Sequence, residues 1–399
     1  MNIGSSQDAG SNVTNKSLRL HYIDWLRVLA MLAIFLFHNN RLFDTVGWHL
    51  KNSDQSIVST IITGLLDLWL MPLFFLLSGV GSWYALKSRS GGQYLFDRIK
   101  RLLIPLYTVG VFILVLPQVY FDWVTNKGYT STFWESIPLY IGSIPDHFYA
   151  SPLFFNVFWG HLWFLQFLFL ISLVTLPLLV YLKSEQGQKL IKRLATWCNR
   201  WGGIFLFLIP LILVRIGLRS FFGGEHTWAD FFYFAVFFLI GYIMPADNRF
   251  TDRIKRFGWV CLGLGIVGWL GEGYLILGLG YNYPGNESFS LMFVLFQIIM
   301  SIASWSWVVF ILSLGARYLN FDNKVVNYGN DTVLPSYILH QTIILIVGWF
   351  VITWNIGILP KYLINGVVSF VLIMALYELL IKRFNIVRVF FGMRLKKAK

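Results

Sequence analysis

Two residues near the start of the chain, Arg27 and His38, have types and a spacing suited to chemistry inside an apolar helix. Eleven steps of about 100° return a helix to within roughly 20° of its starting direction, so both side chains share one face, about 16 Å apart. An ionisable residue in a membrane span costs about 2.5–3.5 kcal/mol to insert, which makes function the first hypothesis. A neutral imidazole is a suitable general base for a hydroxyl group. His38 is therefore a candidate base, with Arg27 near the cytoplasmic entrance.

Three further polar residues, Asp67, His161 and His340, lie about eight to ten residues inside other apolar runs. At about 1.5 Å per residue they come to a similar depth as His38, which predicts a polar chamber within the helix bundle. Asp67 is a candidate for orienting the imidazole of His38. The alternative for each residue alone is a buried side chain whose hydrogen bonds stabilise helix packing.

A basic group, Arg98, Lys100 and Arg101, precedes Pro105 at the edge of the third apolar run. Positions i and i+3 lie on one helical face, so Arg98 and Arg101 could grip a polyphosphate together. The alternative is anchoring of the helix by positive charge on the cytoplasmic side.

The second apolar run contains the segment Pro72-x-Phe74-Phe75-x-x-Ser78-Gly79. Proline and glycine at these positions would kink and thin the helix, so that another backbone or a ligand can approach. Gly263, Gly265 and Gly268 also form a G-x-G-x-x-G pattern, but no strand precedes them. Close packing between helices is the better interpretation of these glycines.

The elements that must position these residues are predicted to be transmembrane helices. Hydrophobic residues make up 57% of the 399 residues and charged residues 13%, whereas roughly 25% of residues are charged in an ordinary soluble domain. A helix needs roughly 20 apolar residues to cross the bilayer. The chain is thus predicted to be all-α, a polytopic integral membrane protein with a bundle of about ten transmembrane helices. The predicted spans are 23–43, 57–86, 102–121, 153–182, 203–221, 229–245, 257–279, 289–314, 332–354 and 360–381.

The distribution of charge predicts the orientation of these spans. Most of the 32 lysines and arginines fall in alternate loops if the N-terminus is cytoplasmic, as the positive-inside rule requires. Both termini are therefore expected in the cytoplasm. We predict a disordered tail at 1–20, one transmembrane domain at 21–385 and a basic cytoplasmic tail at 386–399. The longest outer loop, 122–152, is either a lid or substrate surface or a plain connector.

The net charge of +13 does not indicate nucleic-acid binding, because the basic residues form no continuous face. Cys198 and Cys261 have neither metal-ligand spacing nor a disulfide framework. We expect no metal and no permanently bound cofactor, and the lipid bilayer is the implied environment.

Five segments, in order over nearly the whole chain, carry a resemblance to a known family. They are Tyr22-Ile23-Asp24-Trp25-Leu26-Arg27 followed after ten residues by His38, Pro72 to Gly79, Arg98-x-x-Arg101-x-x-x-Pro105, His161-Leu162-Trp163-Phe164-Leu165, and Ser336-Tyr337-Ile338-Leu339-His340. This ordered set resembles the membrane acyltransferase-3 family.

The resemblance implies transfer of an acyl group, acetyl or succinyl, from cytoplasmic acyl-CoA to a hydroxyl of an extracytoplasmic carbohydrate such as a glucan. His38 would act as general base or as transient acyl carrier, and these alternatives stay open. A prokaryotic inner or plasma membrane is implied, and a homodimer stays open. The implied site residues are His38 and Arg27 for catalysis, Arg98, Arg101, Lys100 and Ser78 for the donor, and His161, Trp163 and His340, which would line the acceptor side or support the chamber. Arg27 would also hold the coenzyme A phosphates together with Arg98 and Arg101. Asp67 joins the catalytic residues from its predicted depth, and not from the resemblance.

Two other classes of function are compatible with buried polar groups. A proton-coupled secondary transporter or flippase would use the same histidines and aspartate. Such a protein needs no thioester donor and leaves its substrate unmodified, which distinguishes it from a transferase. A membrane scaffold or sensor is disfavoured by the short loops.

Overall fold

A computed structural model describes residues 20–150, 157–281 and 289–396. Within these ranges the chain is helical and contains no strand, which confirms the predicted all-α class. The predicted disordered tail at 1–20 lies, except for Leu20, outside the described residues. The end of the predicted basic tail, residues 397–399, lies outside them as well.

Fifteen α-helices follow one another along the described chain, and several are joined by 3₁₀ or π-helical turns. They are α1 His21–Asn40, α2 Ile57–Asp67, α3 Leu70–Lys87, α4 Gly91–Arg98, α5 Val115–Asn126, α6 Phe133–Ala150, α7 Trp163–Lys183, α8 Glu185–Cys198, α9 Leu208–Arg219, α10 Trp228–Ile243, α11 Asn248–Gly273, α12 Leu291–Tyr318, α13 Lys324–Val351, α14 Ile358–Leu376 and α15 Asn385–Phe390.

In the described part of the chain, nine helical segments are long and apolar enough to cross a membrane. They are His21–Asn40, Ile57–Lys87, Gly91–Asn126, Gly160–Lys183, Trp228–Ala246, Asn248–Gly278, Leu291–Tyr318, Lys324–Val351 and Ile358–Ile381. The predicted span at 203–221 forms a shorter segment, the 3₁₀ turn Gly203–Phe207 followed by the 12-residue α9. It begins after a left-handed residue, Gly202, with φ of 71°.

The third crossing changes its helical register around Pro105. Between α4 and α5 the chain forms π-helical turns at Ile99–Leu103 and Leu106–Leu114. Proline has no N–H to donate, and wider i→i+5 bonds are a way to continue a helix past such a gap. The basic group of Arg98, Lys100 and Arg101 therefore lies at a helix distortion and not on a regular α-helical face.

The predicted outer loop 122–152 is largely helical. α5 continues to Asn126, and α6 covers Phe133–Ala150 although it contains Pro138 and Pro145. The Tyr140 hydroxyl donates to the carbonyl oxygen of Val111 at 2.6 Å, which fastens α6 to the bundle. Residues 151 and 152 lie outside the described ranges.

The predicted thinning of the second crossing is present at the contact between α3 and α10. A Cβ atom at Gly79 would lie 2.0 Å from the carbonyl oxygen of Phe238, and one at Gly241 would lie 1.9 Å from that of Leu76. The two backbones therefore touch, because neither glycine carries a side chain.

In the G-x-G-x-x-G pattern on α11, two glycines pack closely on α12, as interpreted from the sequence. A Cβ atom at Gly265 would meet the Trp307 ring at 3.1 Å, and one at Gly268 would meet Ala303 at 2.8 Å. Gly263 has nothing within 4 Å.

We predict that Gly79→Ala destabilises the protein in detergent, because its methyl group would overlap the backbone of α10. The cost should reach or exceed about 1–3 kcal/mol, the usual range for overpacking. Gly263→Ala is the matched control, since its methyl group would enter open space. Thermal unfolding of the three proteins measures the difference; equal midpoints for the two variants would contradict the contact.

Candidate active site

Three histidines from distant parts of the chain form a cluster, His38, His161 and His340, which we call the histidine cluster. The ring centroids of His38 and His340 are 4.8 Å apart, those of His161 and His340 4.8 Å, and those of His38 and His161 6.4 Å. His340 and His161 are buried, with 0% and 4% of their surface exposed, whereas His38 is partly exposed. The three histidines of the predicted polar chamber therefore come together, and His38 is the most exposed of them.

His38 lies in the last turn of α1, nearer the outer end of the helix than predicted. The helix ends early because Asn40 turns inward, where its amide donates to the carbonyl oxygen of Ser59 at 2.6 Å and to Thr63 Oγ1 at 2.8 Å. The following residues 41–56, the first outer loop, then fold over the helix end.

The hydrogen-bond network assigns the proton positions on His340 and His38. Nδ1 of His340 lies 2.6 Å from the carbonyl oxygen of Tyr337, which can only accept, so Nδ1 carries the proton. Nε2 of neutral His340 is then an acceptor, 3.1 Å from Nδ1 of His38. That Nδ1 also lies 2.9 Å from the carbonyl oxygen of Ile34. Because both neighbours are acceptors, Nδ1 of His38 carries the proton, and the lone pair of the neutral ring is on Nε2.

This assignment gives His38 the form that a base or nucleophile requires. Among the described residues, no hydrogen-bond partner is found for Nε2 of His38, so its lone pair is available to a ligand. His340 acts on His38 in the way that a carboxylate orients a catalytic histidine, by accepting from the opposite ring nitrogen.

His161 is held behind the other two rings by main-chain carbonyls. Its Nε2 donates to the carbonyl oxygens of Tyr337 at 3.0 Å and Ile338 at 3.2 Å. The Tyr337 hydroxyl in turn donates to the carbonyl oxygen of His161. One carbonyl, that of Tyr337, therefore receives N–H groups from both His161 and His340.

A polar network that sequence reasoning missed supports this arrangement. The Gln118 amide donates to His161 Nδ1 at 3.3 Å and to Thr342 Oγ1 at 2.8 Å, and Gln341 donates to Gln118 Oε1 at 2.8 Å. Gly160 has φ of 49°, and a Cβ atom there would lie 2.3 Å from Gln118 Oε1. The signal was present in the sequence, because a glutamine inside an apolar span needs hydrogen-bond partners within the protein.

Asp67 is the last residue of α2, and the structure describes no hydrogen bond between it and His38. Its neighbouring charges are Glu225, Arg41, Asp230 and Arg215. His340 is the side chain within hydrogen-bond distance of Nδ1 of His38. The orientation of His38 by Asp67 therefore stays a prediction without a direct contact.

Trp163 lies apart from the histidine cluster as well. Its indole stacks near His226, with ring centroids 4.2 Å apart, and near Phe234 at 5.8 Å. Trp48 is instead the tryptophan beside His38, with ring centroids 6.0 Å apart. Sequence reasoning gave Trp48 no role.

Trp48 belongs to the first outer loop, which rests on α5. Asn126 donates to the carbonyl oxygen of Trp48 at 3.0 Å, and His49 Nδ1 lies 3.9 Å from Asp122. Burial lowers the pKa of His49, although Asp122 opposes the shift. The indole and these polar groups form the surroundings of His38 on its outer side.

The predicted donor residues converge on one cavity, which we call the basic cavity. Arg27, Ser78, Arg98, Lys100 and Arg101 all line it, and its volume is about 920 Å³. The space for the guanidinium of Arg27 exists because Gly81 has no Cβ atom, which would lie 2.8 Å from the Arg27 Nη2 atom.

Cations outnumber carboxylates around the basic cavity. Two of its arginines have acidic partners, since Arg27 lies 3.5 Å from Asp24 and Arg89 lies 3.2 Å from Asp97. Arg98 instead donates to Ser82 Oγ at 2.6 Å. Within the described ranges, no carboxylate lies at ion-pair distance from Arg98 or Arg101. The cavity therefore favours a multiply charged anion.

Tyr337 connects the two parts of the site. Tyr337 lines the basic cavity together with Phe164 and Leu165. Its backbone and hydroxyl bind His161 and His340. A molecule in the cavity can therefore contact the residue that holds two rings of the histidine cluster.

Comparison with known families matches residues 20–378 to the acyltransferase domain of the acyltransferase-3 family. The chain belongs to this family. It is a multi-pass membrane acyltransferase, which decides against the transporter, flippase and scaffold alternatives.

Among known proteins, the chain is similar to "Glucans biosynthesis protein C" of Salmonella paratyphi A and of Salmonella agona. The identity is 23% over 350 residues in each case, which cover 84% of this chain and 84% of each relative. No solved structure matches the chain.

We predict that His340→Ala lowers the turnover number for acyl transfer about 100-fold, at the lower end of the range that a general base contributes. His340→Gln should lose less, because its side-chain oxygen can accept from Nδ1 of His38. Turnover as a function of pH and thermal unfolding should be measured for both. Equal losses in the two variants, with unchanged unfolding, would contradict the positioning role of His340.

Proposed function

We propose that the protein transfers an acyl group, acetyl or succinyl, from acyl-CoA to a hydroxyl of a carbohydrate on the opposite side of the membrane. The observation that carries this proposal is the available Nε2 lone pair of His38, close to the wall of a basic cavity. Membership of the family indicates acyl transfer. The distribution of lysine and arginine among the loops indicates which ends of the helices face the cytoplasm.

The basic cavity suits the donor in size and charge. Its volume of about 920 Å³ lies within the usual range of roughly 300–1,000 Å³ for ligand sites. Coenzyme A carries several phosphate charges at one end and a thioester at the end of a long neutral arm. The phosphates would lie near Arg98 and Arg101, while the arm extends past Phe164 and Tyr337.

Two chemical routes use the same lone pair. In direct transfer, Nε2 takes the proton of the acceptor hydroxyl as its oxygen attacks the thioester carbonyl. The carbon–sulfur bond breaks, and the proton passes from His38 to the departing thiolate. In the alternative route, Nε2 attacks the carbonyl, the carbon–sulfur bond breaks, and coenzyme A leaves as its thiolate, which gives an acyl-imidazolium. The acceptor oxygen then attacks the acyl carbon, the carbon–nitrogen bond breaks, and the hydroxyl proton passes to the thiolate, which regenerates neutral His38.

A carbohydrate acceptor fits the outer side of the site. The name of the Salmonella relatives refers to glucans, and Trp48 presents an aromatic ring beside His38. Aromatic rings and carboxylates such as Asp122 are groups that can hold a sugar through stacking and hydrogen bonds. His161 and His340, which were expected to bind the acceptor, would act through His38. A prokaryotic inner or plasma membrane is the location this function implies.

We predict saturable binding of acetyl-CoA or succinyl-CoA to the purified protein, seen as a rise in its unfolding temperature. Arg98→Ala should weaken this binding about tenfold or more, because a charge-assisted bond to phosphate is lost. Lys189→Ala is the control, since this exposed residue of α8 lies outside the basic cavity. No shift with either donor in folded wild-type protein would contradict the proposed donor site.

We predict that His38→Ala abolishes acyl transfer while the protein stays folded and still binds the donor. His21→Ala, which removes a histidine from the first turn of the same helix, should leave transfer unchanged. Mass spectrometry of wild-type protein quenched after donor addition separates the two routes, since only the second adds an acyl group to His38. Normal transfer by His38→Ala would overturn the mechanism.

A further inference from the structure

The chain after the last crossing folds back onto the basic cavity. Helix α15 ends at Phe390, and Val389, Gly392, Met393, Arg394 and Leu395 all line the cavity. This stretch, residues 389–395, is the C-terminal strap. The sequence indicated only a basic tail here, because a tail without periodicity gives no sign of where it packs.

A single glycine directs the strap. Gly392 has φ of 66°, in the region that favours glycine, and a Cβ atom there would lie 2.6 Å from the carbonyl oxygen of Arg101. Residue 392 therefore touches the backbone of the basic group. The turn that it makes brings Met393 and Arg394 to the cavity.

Backbone-directed hydrogen bonds hold the strap after this turn. Arg388 Nε donates to the carbonyl oxygen of Arg394 at 2.7 Å, and the Met393 N–H donates to the carbonyl oxygen of Arg388 at 2.8 Å. The Lys396 N–H donates to Asn385 Oδ1 at 3.0 Å. These bonds fix the backbone of Arg394 and leave its guanidinium for another role.

The strap adds a positive charge where like charges already meet. Arg394 lines the same cavity as Arg98 and Arg101, and the structure describes no carboxylate at ion-pair distance from any of the three. Arginines gathered in this way repel one another unless an anion lies between them. The strap therefore contributes to a site that is complete only with an anionic ligand.

We propose that Arg394 is a donor-binding residue, which the C-terminal strap presents to a phosphate group of the donor. This inference rests on the proposed function, since the phosphate-bearing ligand is acyl-CoA. The arginine fork suits phosphate oxygens geometrically as well as electrostatically. One donor would then be held by Arg27 of the first crossing, by Arg98 and Arg101 of the third crossing, and by Arg394 of the C-terminal strap.

The test compares the affinity for acetyl-CoA of wild-type protein, Arg394→Gln, Arg394→Lys and Lys396→Gln, measured by isothermal titration calorimetry in detergent. Arg394→Gln should bind about five- to tenfold more weakly at low salt, and Arg394→Lys should lose less. Lys396→Gln is the matched control, because this substitution removes one positive charge two residues from Arg394, and Lys396 does not line the cavity. The loss in Arg394→Gln should shrink at high salt, where the attraction is screened.

Each outcome decides one question. If wild-type protein binds no acetyl-CoA, the proposed function fails and this inference with it. If it binds, and Arg394→Gln matches wild type or Lys396→Gln, only the role of Arg394 is overturned. A loss in Arg394→Gln that does not depend on salt would also overturn the direct phosphate contact.

A second variant tests whether the strap presents Arg394. Gly392→Ala should weaken binding by a similar factor, because its methyl group would overlap the backbone of Arg101 and displace the strap. The double variant Gly392→Ala/Arg394→Gln should then bind no more weakly than either single variant. Additive losses would show that the turn and the arginine act independently, which contradicts the proposal.

Discussion

The carbonyl oxygen of Tyr337 receives hydrogen bonds from two imidazole rings, and the orientation of the active site depends on this contact. Inside a membrane a polar group without a partner is costly, so each ring nitrogen that faces a carbonyl must carry a proton. The proton on Nδ1 of His340 makes its Nε2 an acceptor, so Nδ1 of His38 must carry a proton as well. The lone pair of His38 is then on Nε2, where it is available to a ligand. The same requirement explains Gln118, whose amide donates a hydrogen bond to Nδ1 of His161.

This arrangement places different chemistry on the two sides of one small cluster. Tyr337 lines the basic cavity, and Trp48 of the first outer loop packs beside His38. Basic residues gathered without matching carboxylates attract an anion, while an indole with nearby polar groups suits a sugar.

Helical periodicity and the cost of burying charge predicted much of this site from the sequence. The meeting of His38, His161 and His340 was expected from their positions in the spans. The placing of Arg27 with Arg98 and Arg101 came from the resemblance, and the structure has all three at one cavity. For Asp67, depth in a span did not give a contact with His38, because depth says nothing about how a helix is rotated. Trp48 and Arg394 were missed because their positions depend on loop hydrogen bonds and a left-handed glycine, which have no periodic signature.

In the proposed mechanism, one imidazole joins a donor and an acceptor from opposite sides of the membrane. Sealed proteoliposomes with radiolabelled acetyl-CoA or succinyl-CoA outside, and a glucan either inside or outside, test this mechanism directly. Labelled glucan is expected when the acceptor is trapped inside, and none when donor and acceptor share one compartment. Equal labelling of glucan on the donor side, or labelling only there, would contradict it.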